Sequence, residues 1–118
     1  MECSACHDAH AGRGEKLLRA PRVNALCESC HDETRGPFLW EHGPVRENCL
    51  SCHAAHGSNN VHLLTMRVPM LCQSCHAGDA HQTLAPSSSS AWLVNRGCVN
   101  CHQMIHGSNH PSGITLQR

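Results

Sequence analysis

The sequence predicts a mostly irregular, elongated chain with a few short α-helices and little or no β-structure, held together by something other than a side-chain core. Three observations lead there. Of 118 residues, ten are cysteine and twelve are histidine, against only three aromatic side chains, Phe38, Trp40 and Trp92. Six prolines and nine glycines are spread along the chain and interrupt most candidate elements. No stretch alternates apolar and polar residues as a half-buried strand does, and no apolar run approaches the roughly 18 residues of a membrane-spanning helix. A chain of this length makes one domain and needs a sizeable apolar interior to fold unaided. With so few large apolar side chains, that interior has to be covalent or metal-based.

All ten cysteines fall in five identical frames: Cys3-Ser4-Ala5-Cys6-His7, Cys27-Glu28-Ser29-Cys30-His31, Cys49-Leu50-Ser51-Cys52-His53, Cys72-Gln73-Ser74-Cys75-His76 and Cys98-Val99-Asn100-Cys101-His102. In a Cys-x-x-Cys-His frame the two thiols form thioethers to the vinyl groups of a haem, and the histidine becomes the proximal ligand of its iron. A disulfide scaffold has no use for a histidine after every second cysteine, and bridges within Cys-x-x-Cys close loops too short to constrain the unfolded chain. Nor do ten thiols and five fixed histidines divide into tetrahedral zinc sets. The frames therefore predict five covalently bound c-type haems, with His7, His31, His53, His76 and His102 on the irons. Five haems in 118 residues leave roughly 24 residues each, too few to separate them, so stacked haems are expected to form the core.

Seven histidines lie outside the frames and compete for five sixth-ligand positions. An internal repeat of about 46 residues ranks them. Cys6-His7-Asp8-Ala9-His10 aligns with Cys52-His53-Ala54-Ala55-His56, and Leu17-Leu18 with Leu63-Leu64. A partial third copy starts at Cys98, where one inserted residue precedes His106-Gly107-Ser108-Asn109. His10, His56 and His106 are thus equivalent and are expected to be distal ligands, together with His42 and His81, which stand alone between frames. Spacing does not set which histidine serves which iron, but a histidine three residues after a proximal one is poorly placed to reach the far face of the same porphyrin. His10 and His56 are expected to reach neighbouring haems. His62 falls opposite Lys16 and His110 opposite Asn60, so both are read as solvated or propionate-bonding side chains. Met66, Met70 and Met104 are read as gap-fillers against porphyrin rather than ligands. The repeat divides a single pentahaem domain, residues 1–118, into 3–48, 49–97 and a partial 98–118.

Charge is balanced in the polypeptide, with nine basic and nine acidic side chains. Each haem adds two propionates, so the holoprotein is expected near −5 oxidised and about −10 reduced, which excludes nucleic acid as a partner. Arginine outnumbers lysine eight to one, which suits guanidinium pairing to propionates. Arg13, Arg19, Arg22, Arg35, Arg46, Arg67 and Arg96 are the candidates. Short helices are expected within Val68 to His76 and Leu93 to Gln103, and an exposed loop at Pro86-Ser87-Ser88-Ser89-Ser90. Covalent haem attachment follows export, so a periplasmic, outer-membrane-associated or extracellular setting is expected. No export signal precedes Cys3, which points to a piece of a longer chain.

The segment His42-Gly43-Pro44-Val45 before a frame, Cys52-His53-Ala54-Ala55-His56-Gly57-Ser58 after one, and the closing His106-Gly107-Ser108-Asn109-His110-Pro111-Ser112-Gly113 resemble the periplasmic multihaem cytochromes of the MtrA/DmsE type. More distantly they resemble pentahaem donors of the NrfB type. The resemblance covers the whole chain, which looks like one five-haem half, most like the C-terminal half. It implies an elongated wire of bis-His haems whose partners are other cytochromes and an outer-membrane β-barrel porin. Electron transfer without chemistry of its own, and hence no enzyme, is the function expected. The alternatives are a reductase of nitrite or a sulfur oxyanion with one open iron, and a subunit of an extracellular filament or other oligomer joined by a ligand such as His62 or His110.

Overall fold

The structure is a computed structural model that describes residues 2–76 and 97–117. Its helices are single turns: α1 (Val23–Cys27), α2 (Gly43–Glu47) and α3 (Met70–Gln73). Pro44 near the start of α2 suits a position with no helical hydrogen bond to donate. Between them run short 3₁₀ turns, including Cys3–Ala5, Cys49–Ser51 and Cys98–Asn100. The described residues contain no strand, only isolated bridges His7 to Leu18, His53 to Leu64 and Trp40 to Ser108. No described helix is long and apolar enough to cross a membrane.

The molecule measures 59 × 33 × 21 Å with a radius of gyration of 16.9 Å. A compact chain of this length is expected near 13.5 Å, roughly a fifth less, so the elongation is real. Among the described residues no hydrophobic side chain is buried, while Leu17, Leu39, Val61, Leu63, Met70 and Ile114 are exposed. Among the described residues, side chains thus do not make the apolar interior that this length demands.

Polar contacts hold the ends of the irregular segments instead. Asn24 of α1 donates from Nδ2 to the carbonyls of Val45 and Arg46 in α2, and its Oδ1 accepts from the Cys49 N–H at 2.8 Å. One half-buried amide thereby ties the second frame to the third. At the other end, Trp40 and Ser108 exchange backbone hydrogen bonds of 2.8 and 2.9 Å. Trp40 Nε1–H donates to the His110 carbonyl and the Leu39 N–H to Asn109 Oδ1, both at 2.9 Å. Ser108 is fully buried there.

Of the two short helices expected from the sequence, one is present and one needs correction. Within Val68 to His76 the expected short helix is Met70–Gln73, with Pro69 at its N-cap and Ser74 of the frame at its C-cap. Leu93 to Gln103 is not a helix over its described part: Cys98–Asn100 is a 3₁₀ turn, after which the chain must leave helical geometry to bring Thr115 back to His102. Residues 93–96 and the Pro86-Ser90 segment lie outside the described residues.

An interior made by the cofactors has a direct consequence. The polypeptide prepared without haem attachment is expected to show no cooperative thermal transition by circular dichroism, whereas the holoprotein melts cooperatively; a sharp transition in the haem-free chain would show that the polypeptide carries its own core.

Candidate haem-binding site

Each frame closes the same turn. The N–H groups of His7, His31, His53, His76 and His102 donate to the carbonyls of Cys3, Cys27, Cys49, Cys72 and Cys98, at 2.9, 2.9, 3.0, 2.9 and 2.9 Å. This i to i+4 bond puts both cysteines and the histidine on one face, as two thioethers and an axial ligand on one porphyrin require. All ten thiols are free of disulfides. The second to fifth frames lie against each other in succession: burial, with the neighbouring sulfurs of Cys27 and Cys98 respectively, pushes the Cys49 and Cys72 thiols up to about 11. Burial, then Cys75, also raises Cys52.

The proximal rings are oriented by their own backbone. His7 Nδ1–H donates to the Lys16 carbonyl at 2.8 Å, His53 Nδ1–H to the His62 carbonyl at 2.9 Å, and His102 Nδ1–H to the Thr115 carbonyl at 2.6 Å. A carbonyl can only accept, so the proton is on Nδ1 and the Nε2 lone pair is left for a metal. The loop that returns these carbonyls carries consecutive left-handed residues, Lys16 and Leu17 at φ 55° and 58° and His62 and Leu63 at 55° and 55°. Asp8 and Ala54 N–H groups close it on the Leu17 and Leu63 carbonyls at 2.8 and 2.7 Å. The sequence reading missed these carbonyls, since a backbone role leaves no side-chain signature. The one signal was that Lys16 and His62 align although their side chains share no chemistry.

Six of the proximal and distal candidates meet in three pairs. The ring centroids of His7 and His56 are 6.1 Å apart at 21°, those of His42 and His76 6.2 Å at 23°, and those of His53 and His106 6.2 Å at 20°. Parallel rings in face-to-face contact would lie about 3.5 to 4 Å apart. With a metal–nitrogen bond of about 2.0 Å, two imidazoles on opposite sides of one metal have centroids about 6.2 Å apart. The pairs fit a six-coordinate iron. No three His, Cys, Asp or Glu side chains converge among the described residues as a tetrahedral zinc site needs. Two further observations agree. His42 Nδ1 is buried without a hydrogen-bond partner, a costly state for a free imidazole. Burial, then the charge of His53, lowers the His106 pKa, which favours the neutral ring that a metal binds.

The remaining candidates separate. The His10 N–H donates to Asp8 Oδ1 at 3.1 Å, and its ring meets no other ring among the described residues. His81 and Arg96 lie outside them. His62 contributes its carbonyl. His110 Nδ1 accepts from the Ser112 N–H at 3.2 Å and faces its hydroxyl at 2.9 Å, so that nitrogen is engaged. Arg46 pairs with Glu41 at 2.8 Å and Arg19 donates to the Ser4 carbonyl at 3.1 Å. Met66, Met70 and Met104 are exposed.

Frames that hold two thiols and a histidine on one face, with further imidazoles opposite, have the donor set of a c-type multihaem cytochrome. The family described as "Doubled CXXCH motif" matches residues 1–36 and 42–81, and the chain belongs to it. Over its whole length it is similar to the "Multiheme cytochrome MtrA" of Shewanella baltica (strain OS185), at 48% identity over 127 aligned residues. The chain spans 38% of that relative's length.

Gly107 sits at φ +136°, and a Cβ there would meet the Phe38 ring. Gly107→Ala is expected to strain this turn and displace His106 next to it. In the holoprotein's optical and electron paramagnetic resonance spectra one haem would lose low-spin character; unchanged spectra would free His106 from any dependence on the Phe38 to Trp40 segment.

Proposed function

We propose that the chain is a wire or carrier of five covalently bound c-type haems, passing single electrons between redox partners in the periplasm and at the outer membrane or cell exterior. The three imidazole pairs carry this reading, because irons held on both sides have no position for substrate. Cys3, Cys6, Cys27, Cys30, Cys49, Cys52, Cys72, Cys75, Cys98 and Cys101 hold the porphyrins in this reading. His56, His106 and His42 are the distal ligands of the irons carried by His7, His53 and His76. The sulfur neighbours Cys27 with Cys49, Cys52 with Cys75 and Cys72 with Cys98 support porphyrin edges that adjoin in chain order, as a wire needs.

Two of the pairs obey one rule. The distal histidine of a copy serves the first frame of the copy before it, His56 for His7 and His106 for His53. The same step assigns His10 to an iron outside these five frames, and leaves His81 for one of the two irons still to be matched. Other cytochromes are the proposed partners, and an outer-membrane porin is the proposed housing, on the resemblance to MtrA-type proteins. A filament joined by an interprotomer ligand is a different assembly of the same wire, which electron microscopy distinguishes.

Intact mass of the holoprotein is expected to count five haems, and its low-temperature electron paramagnetic resonance spectrum to contain at least three bis-His low-spin haems. A stoichiometric high-spin signal at one of the three paired irons would favour the reductase alternative. A variant series then tests the ligand rule. His56→Ala is expected to convert one haem from low-spin to high-spin, while His62→Ala and His10→Ala leave the spectrum of this chain unchanged; loss of a low-spin haem in His10→Ala would return that ring to an iron among the five.

A further inference from the structure

Four proximal histidines have a described Nδ1 partner, and one of them differs. His7, His53 and His102 use a backbone carbonyl, whereas His31 Nδ1 lies 3.2 Å from Glu33 Oε1. The reason is local. After the second frame the chain does not form a returning left-handed loop but enters a 3₁₀ turn, Asp32–Thr34. The Thr34 N–H and hydroxyl both bond the His31 carbonyl, at 3.1 and 2.8 Å, and hold that turn closed. The side chain two residues past the ring is thereby laid against it.

A carboxylate accepts more strongly than a neutral carbonyl. It draws the Nδ1 proton, gives the ring imidazolate character and makes Nε2 a stronger donor to a metal. A stronger donor stabilises ferric over ferrous iron. We propose that Glu33 is a positioning residue that acts through His31 to set the second haem apart, lowering its reduction potential below that of a haem whose proximal ligand faces a carbonyl. This rests on the reading that the second frame carries a haem with His31 on its iron. Its consequence is an unequal distribution: an electron is held less well at the second haem than at haems whose proximal ligand faces a carbonyl, so reducing equivalents collect on those.

The side chains of His31 and Glu33 are 64% and 66% exposed. As an ordinary surface pair they would contribute little to stability, so Glu33→Gln is expected to leave the melting temperature unchanged. That makes the potential a clean readout. The experiment is a spectroelectrochemical titration of the five-haem holoprotein against Glu33→Gln, Glu33→Ala and Glu28→Gln. Glu28 lies inside the same frame and makes no described bond to the ring, so it controls for loss of charge near the same haem.

The expected result is that one midpoint potential rises in both Glu33 variants, more in Glu33→Ala, with a changed g-value spread for one low-spin haem and the other potentials unmoved. Glu28→Gln should move the same potential less. No shift in the Glu33 variants, or an equal shift in Glu28→Gln, overturns the proposal. Failure of the underlying reading looks different: a proteolytic fragment containing Cys27 and Cys30 would then carry no haem mass.

Discussion

One hydrogen bond governs the rest of this structure: the proximal imidazole Nδ1–H donating to a backbone carbonyl of its own loop, as His7 does to Lys16 and His53 to His62. It decides the tautomer, the ring plane and the nitrogen offered to iron. The loop is bent to suit it. Non-glycine residues in the left-handed region cost about 1–2 kcal/mol each, and Lys16, Leu17, His62 and Leu63 all adopt it. The compensation is the ring bond together with the closing bonds of Asp8 and Ala54. Local conformational preference is overridden because the ring has to be aimed.

Ring pairs formed between copies make the repeats interdependent in a way a string of separate beads would not be. His56 faces His7 across a copy boundary, and His106 faces His53 across the next. His42 reaches forward to His76 from the segment ahead of the third frame. The best-packed element sits where such a reach is longest. Trp40 and Ser108 bridge a separation of nearly 70 residues, and they brace the turn that carries His106. Packing is spent on the ligand rather than on a core.

The five frames were legible because they depend on covalent chemistry at fixed spacing, and the aligned positions of His10, His56 and His106 because the repeat sets them, although only His56 and His106 of these face another ring among the described residues. So was the scarcity of regular structure, which follows from proline, glycine and the missing apolar periodicity. The alignment of His62 with Lys16 has a physical reason that the side chains do not show: the position works through its carbonyl, so either residue serves there. The Phe38 to Trp40 brace was not legible. Its hydrogen bonds join distant backbone groups to Asn109 and His110, and nothing in a short window marks residues that meet only in three dimensions. Over its described part, the helix expected from Leu93 to Gln103 gives way for a related reason, since the return of Thr115 to His102 outweighs local propensity.

The frames being alike, they cannot be what makes one haem differ from another. Axial ligand identity, outer hydrogen bonds, solvent access and macrocycle distortion are the means by which a protein sets an iron's potential. At the three irons proposed between paired rings the axial ligands would both be histidine, so that lever would be idle there. What varies lies just outside the motif: a Lys16, His62 or Thr115 carbonyl against a Glu33 carboxylate, and a distal ring that is buried at His42 Nδ1 or exposed. A wire with a direction needs unequal sites. In this chain the inequality has to be written in the few residues after each frame, where the repeat is least regular.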